Sequence, residues 1–185
     1  MLFRSSTYGT SLATAGNLVA AIAAYTAASQ REPWLSQGWK NLAIVWTQLG
    51  NKGAARASAD RALVADPFDG EAHELVASLA YDAGEYARAA AEGERAIALR
   101  LPPLESSYFT TSSAYVQLKD LPRAEAVLRD GIKLYPNPGL RTQLAAVLAD
   151  EGRRAEAIAV LDQLLAEYGN VLPDAIKLRQ ALQGK

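Results

Sequence analysis

The chain has 185 residues, half of them apolar, and its formal net charge is -1 at neutral pH. This balance provides no basic field that would attract phosphates, so nucleic acid is not an expected partner. The sequence has no cysteine, which excludes disulfides, thiolate zinc sites and thiol nucleophiles. Phe occurs only three times whereas alanine is abundant, and that mixture favours closely packed helices over strands.

The longest apolar stretch, residues 18–28, is too short to cross a bilayer. Direct insertion into a membrane is therefore not expected. Residues 1–6 lack the charged start and apolar run that are typical of a signal peptide. We predict a cytoplasmic protein, and the alternative is a periplasmic or membrane-associated location as part of a longer chain.

A helix is predicted to begin near residue 36. Its apolar side chains recur at i, i+3, i+4 and i+7, which is one stripe of an amphipathic helix, and they are Trp39, Leu42, Ala43 and Trp46. Gly50 follows, and glycine readily adopts the left-handed conformation that ends a helix.

A second helix is predicted directly after this turn. It carries Ala55, Ala59 and Ala62 at helical spacing, and such small residues let two helix backbones approach closely. Pro67 cannot continue the helix and so turns the chain into the next segment.

The same two-helix pattern recurs along the chain. Its most regular marker is a small residue in each second helix: Ala21, Ala55, Ala89, Ala124 and Ala157. Successive markers are 34, 34, 35 and 33 residues apart, and a fixed period of this length indicates a helical repeat protein. One such hairpin cannot cover its own apolar face, so neighbouring hairpins must stack.

This pattern resembles the tetratricopeptide repeat, whose first helix carries Trp, Leu, Gly or Ala, and Tyr, and whose second carries Ala, Phe or Tyr, Ala and Pro. The resemblance covers nearly the whole chain. It implies an all-α fold, namely a right-handed α-solenoid of about five helix-turn-helix units and a C-terminal capping helix. The predicted units are residues 2–35, 36–69, 70–104, 105–137 and 138–171, and residues 172–185 form the capping helix and tail.

The only histidine, His73, is the strongest candidate for metal binding or acid–base chemistry. A zinc-protease helix needs His-Glu-x-x-His, and Ala77 occupies the position of the second histidine. His73 also stands where the repeat has Trp, so a packing role is the preferred interpretation. A Ser-based triad would depend on this same histidine, and Gly-rich phosphate loops are missing. We expect no catalytic site, no metal and no cofactor.

The arginines lie mostly in the second helices, where they alternate with carboxylates. This arrangement is typical of a solvated outer face. The residues concerned are Arg56, Arg61, Arg88, Arg95, Arg123, Arg153 and Arg154, with Asp60, Glu92, Glu94, Glu125, Asp130 and Glu156 between them.

The resemblance also implies that a partner binds in a concave groove lined by the first helices. We therefore predict a non-catalytic scaffold that holds a partner peptide or protein segment. The groove positions of the family pattern fall on Lys40, Ile44, Thr47 and Gln48, on Glu71, Glu74, Ser78, Tyr81 and Asp82, and on Phe109, Ser113, Val116 and Gln117.

The predicted groove is acidic in the middle. In the chaperone-docking branch of the family, a cluster of Lys, Arg and Asn grips the terminal carboxylate of a peptide. Here Lys40 fits one such position, but Ile44 stands where Asn is expected, and Glu71 and Glu74 add negative charge. A terminal carboxylate would be repelled.

We expect instead a partner segment with apolar and basic residues. Its apolar side chains would contact Tyr81, Phe109 and Val116, and a basic residue would face Glu74 and Asp82.

Two alternatives remain open. One is a self-assembling structural element of a larger complex, so that a homo-oligomer is possible. Apolar residues near the start of the chain favour it: Leu2, Phe3, Tyr8, Trp34 and Leu35. The other is a recruiting arm of a longer multidomain protein.

Overall fold

The computed structural model describes residues 9–10, 12–13, 16–99 and 103–184. Within these ranges the regular structure is entirely helical, with ten α-helices and one 3-10 turn. The prediction of an all-α helical repeat is confirmed.

The helices alternate with short turns at nearly constant spacing. In chain order they are α1 (Leu18–Arg31), α2 (Ser36–Gln48), α3 (Lys52–Ala65), α4 (Gly70–Asp82), α5 (Tyr86–Leu99), α6 (Glu105–Gln117), α7 (Leu121–Leu134), α8 (Pro138–Asp150), α9 (Arg154–Tyr168) and α10 (Pro173–Gln183). The 3-10 turn, Gly169–Val171, precedes α10.

Local sequence signals explain where these helices begin and end. Side-chain oxygens of Asn51 and Asp69 accept hydrogen bonds from first-turn amides of α3 and α4, which satisfies backbone donors that have no partner within the helix. Gly50 ends α2 with a φ of +73°, as its position predicts.

The chain forms two compact units, of which one ends at Pro103 and the other begins at Leu104. We call them the N-terminal and C-terminal units. In the N-terminal unit, α1 contacts α2, the pairs α2–α3 and α4–α5 pack together, and α3 contacts α4. In the C-terminal unit, consecutive helices from α6 to α10 contact one another. The boundaries of the five repeats and the capping role of α10 stay predictions.

A small side chain is buried in each of the second helices. The five alanines that mark the repeat are all fully buried: Ala21, Ala55, Ala89, Ala124 and Ala157. In the N-terminal unit, Leu42 belongs to the same core cluster as Ala21, and Val76 to the same cluster as Ala55. Leu128 and Leu161 are fully buried in the C-terminal unit. The close contact of the helices therefore depends on a small residue at the marker position.

We expect the substitution Ala55→Leu to destabilise the fold by roughly 1 to 3 kcal/mol, because the larger side chain overpacks a filled contact. Chemical denaturation measures this free energy of unfolding. Ala57→Leu is the matched control, since Ala57 is exposed on the same helix and should change stability by less than about 0.5 kcal/mol. Equal effects of the two substitutions would show that the assigned repeat register is wrong.

Candidate functional site

The first helices of two successive predicted repeats, α2 and α4, lie side by side in the N-terminal unit and share an exposed surface. α2 contacts α4, and each presents one helical stripe of side chains. We call this surface the α2–α4 face. It comprises Ile44, Thr47 and Gln48 on α2, and Glu71, Glu74, Ser78, Tyr81 and Asp82 on α4.

The chemistry of the α2–α4 face is a mixture of apolar and acidic groups. Ile44 is a large apolar residue, and it is 45% exposed. Tyr81 is half-buried, and its ring packs against that of Tyr86 in a T-shaped arrangement with ring centroids 5.5 Å apart. Glu74 is half-buried and Asp82 is exposed, so α4 contributes carboxylates to this face as well as the ring of Tyr81.

Lys40 does not belong to this face, contrary to the sequence prediction. Its side chain is buried, and its Nζ lies 2.8 Å from Oδ2 of Asp69 and 2.8 Å from Oε2 of Glu71. Ser36 donates a hydrogen bond of 2.5 Å to the same oxygen of Asp69. Since Asp69 also caps α4, this cluster fixes α2 against the start of α4. The ammonium of Lys40 is engaged inside the protein rather than offered to a ligand.

Both members of the central ion pair are charged at neutral pH. Burial opposes the charge on Lys40, but the hydrogen bonds and attraction of Asp69 and Glu71 outweigh it and raise the pKa of Lys40. Burial likewise opposes the charge on Asp69, yet hydrogen bonds from Lys40 and Ser36 lower its pKa below the ordinary value. In each case the hydrogen bonds and the attraction between opposite charges stabilise the charged form by more than burial destabilises it.

His73 fills the position that Trp39 occupies one repeat earlier. It is buried, its Nε2 donates to the carbonyl of Pro67 at 3.0 Å, and its Nδ1 lies 2.6 Å from Oε2 of Glu92. The indole N–H of Trp39 makes the matching hydrogen bond, to the carbonyl of Pro33 at 3.1 Å. His73 therefore links α4 to the preceding turn and to α5, in agreement with the packing interpretation.

The predicted positions of the C-terminal unit lie on α6. The ring of Phe109 covers Gly139 at the start of α8, where a Cβ atom would lie 2.7 Å from the ring. Ser113 accepts a hydrogen bond of 2.8 Å from Gln143 of α8. Val116 is half-buried and Gln117 is exposed. Phe109 and Ser113 are thus partly used in packing α6 against α8.

Ion pairs between successive second helices were not predicted from the sequence. Arg56 pairs with Glu85, next to α5, and Arg88 of α5 pairs with Asp60 of α3. In the C-terminal unit, hydrogen bonds from Arg153 hold the pKa of Glu125 below its ordinary value. These arginines are only about one-third exposed. They connect neighbouring repeats, so the description of a simply solvated face is incomplete.

Among the described residues, no group of three or more His, Asp or Glu side chains is placed to hold a metal ion. Across the same ranges, no helix has the length and apolar character needed to span a bilayer.

Two family models, both described as tetratricopeptide repeat, match residues 12–79 and 109–175. No curated protein sequence matches the chain significantly.

Solved structures of several helical repeat proteins resemble this chain. Pseudomonas aeruginosa PilF has a TM-score of 0.80 and 18% identity, and the alignment covers 99% of this chain and 83% of PilF. MamA has a TM-score of 0.81 and 21% identity over 92% of this chain and 97% of MamA. YrrB, described as a TPR protein with an unusual peptide-binding site, has a TM-score of 0.83 and 15% identity over 95% of this chain and 90% of YrrB. At these identities, the similarity establishes the fold alone.

We expect Asp69→Asn to lower the free energy of unfolding by about 1 to 3 kcal/mol at pH 7, because buried Lys40 loses one of its two carboxylate partners. The pKa of Asp69 is lower in the folded state than its ordinary value of 3.8. The charge of Asp69 therefore stabilises the fold fully at pH values above 3.8, and this stabilisation is lost as the pH falls through the pKa of the folded state. The difference between wild type and variant should therefore shrink below about pH 4.

Denaturation curves recorded from pH 7 downward measure this difference. Asp82→Asn is the control, since Asp82 is an exposed carboxylate on the same helix. A difference that stays constant down to acid pH would contradict the role assigned to the charge of Asp69.

Proposed function

Because this chain belongs to the tetratricopeptide repeat family, we propose that it is a non-catalytic scaffold whose α2–α4 face binds a segment of a partner protein. Proteins built from such repeats commonly use their extended surfaces to hold other proteins. The observation that carries the proposal is the combination of exposed Ile44 with the acidic stripe of α4 on one surface.

The partner segment is expected to carry both basic and apolar residues. Glu74 and Asp82 are eight residues apart on α4, which corresponds to about 12 Å along the helix axis. A lysine or arginine of the partner would approach one of these carboxylates, and its apolar side chains would cover Ile44 and Tyr81. Charge complementarity of this kind favours encounter and orientation more than raw affinity.

A site for a terminal carboxylate is a weaker explanation of this face. Lys40, the one lysine at a matching position, is held by Asp69 and Glu71 inside the protein. YrrB is described as having an unusual peptide-binding site, so peptide recognition on this fold takes more than one form.

The corresponding face of the C-terminal unit offers a further apolar contact. Phe109 and Val116 are both half-buried on α6, so part of each side chain is accessible to a partner. We propose that Phe109 and Val116 are apolar contacts of a partner within the C-terminal unit, with Ser113 and Gln117 as polar neighbours.

Selection of short random peptides displayed on phage, followed by calorimetry, tests the proposed face. We expect the selected peptides to contain basic and apolar residues, and Glu74→Lys to weaken their binding about tenfold or more, because it places like charges together. Glu94→Lys is the matched control, since Glu94 is exposed on the second helix α5 and should leave the affinity unchanged.

Equal affinities for wild type and Glu74→Lys, with both proteins folded by circular dichroism, would move the site away from the α2–α4 face. A loss of binding in Glu94→Lys alone would place it on the second helices.

Self-assembly is a second candidate function, and two exposed apolar residues favour it. Trp34 is 65% and Leu35 is 48% exposed in the turn before α2; Leu2, Phe3 and Tyr8 lie outside the described residues. If copies associate through this turn, light scattering should show a mass that rises with concentration, and Trp34→Gln should reduce the rise. A constant monomer mass would contradict self-assembly.

The cytoplasmic location and the role as a recruiting arm of a longer protein stay predictions.

A further inference from the structure

A cleft with a volume of about 190 Å³ opens beside the α2–α4 face. It lies within the N-terminal unit, between the turn that joins α2 to α3 and the end of α4. It is lined by Thr47, Gly50, Lys52, Gly53, Arg56, Leu79, Asp82 and Ala83. Since Thr47 and Asp82 also belong to the α2–α4 face, the cleft is continuous with the surface proposed to bind a partner.

The size of the cleft suits one side chain. Pockets for drug-sized molecules measure roughly 300 to 1,000 Å³, which is larger than this cleft. A cavity of roughly 150 Å³ is enough to hold a benzene ring. A volume of about 190 Å³ therefore accommodates a single leucine, methionine or phenylalanine side chain of a partner.

One reason that the cleft is open is the small residue at the end of α4. Ala83 is the C-cap of α4, with φ -91° and ψ -3°. The C-caps of α2 and α6 have nearly the same backbone angles, but they are Leu49 and Leu118. The backbone at this position therefore accepts leucine. Ala83 lines the cleft, so a leucine at this position would add three carbon atoms to the cleft wall.

Gly53 is a second reason. It lies in the first turn of α3, where glycine is less favourable than alanine. Its φ is not positive, and an added Cβ would meet only Oδ1 of Asn51, at 3.8 Å. The equivalent positions of the later second helices hold Ala87, Pro122 and Ala155. Neither backbone conformation nor packing requires glycine here, and Gly53 lines the cleft, so a methyl group at this position would be added to the cleft wall.

The two sides of the cleft carry opposite charges. Arg56 is already paired with Glu85. Asp82, on the α4 side, and Lys52, on the α3 side, make no hydrogen bond or ion pair through their charged groups within the described part of the chain. A basic residue of a partner is therefore attracted to the α4 side and repelled from the α3 side.

We propose that this cleft receives one apolar side chain of the partner segment, and that a neighbouring lysine or arginine of the same segment pairs with Asp82. The inference rests on the proposed function, since the segment must first lie on the α2–α4 face. The inference adds one specific contact, which we call the anchor: an apolar side chain of the partner segment that is buried in the cleft at the end of that face, next to a basic residue of the same segment.

Calorimetry with a phage-selected peptide tests the anchor. Ala83→Leu fills the cleft and should weaken binding about tenfold or more. Ala91→Leu, at an exposed position of α5 outside the cleft, adds the same three carbons and should leave binding unchanged. Replacing the apolar anchor of the peptide by alanine should weaken binding to wild type, and Ala83→Leu should then cause little further loss.

Gly53→Ala provides an independent variant, because it should raise the melting temperature through better helix propensity and still weaken binding. Unchanged affinity in both Ala83→Leu and Gly53→Ala would overturn the inference. If Glu74→Lys nevertheless weakens the same peptide, the proposed function stands and only the cleft assignment fails. If the library yields no peptide that binds the wild type, both fail.

Discussion

The structure depends on the close approach of paired helices at a buried position that accommodates only a small side chain. Ala55 and Ala89 are fully buried where two helices meet, so the hairpins pack tightly yet leave an apolar side that only a neighbouring hairpin can cover. Stacking in turn places first helices beside one another. The α2–α4 face is a consequence of this packing: residues that point away from the helix contacts form a continuous surface, and their chemistry is free to vary.

Polar contacts then fix how neighbouring helices are aligned. Lys40 connects α2 to Asp69 at the start of α4, and His73 connects α4 to Glu92 on α5. Each contact buries charged or hydrogen-bonding groups that need a partner. If one helix were shifted along the other, these groups would be buried without a partner, at a cost in stability. The same alignment sets Tyr81 and Asp82 at the surface, next to the cleft. Contacts that hold the repeats together thus determine which side chains the α2–α4 face presents.

The period of the sequence was sufficient to predict the helices, the marker alanines and the packing role of His73, since these depend on residues close together in a regular pattern. The prediction that Lys40 is exposed in the groove was wrong, because its side chain is buried in an ion pair with Asp69. Asp69 is distant in sequence and lies at the start of another helix. The cleft was not predicted either. It is lined by residues of two different helices and the turn between α2 and α3, Gly53 and Ala83 among them, and a single-helix pattern cannot reveal which residues of two helices come together.

The central claim is that a partner segment lies on the α2–α4 face. The most direct measurement is a set of intermolecular nuclear Overhauser effects between an isotope-labelled protein and an unlabelled selected peptide, which reports contacts between individual protons. The account predicts contacts from the peptide to the methyl groups of Ile44 and to the ring of Tyr81. Contacts confined to second-helix residues, such as the exposed Val64 of α3, would contradict it.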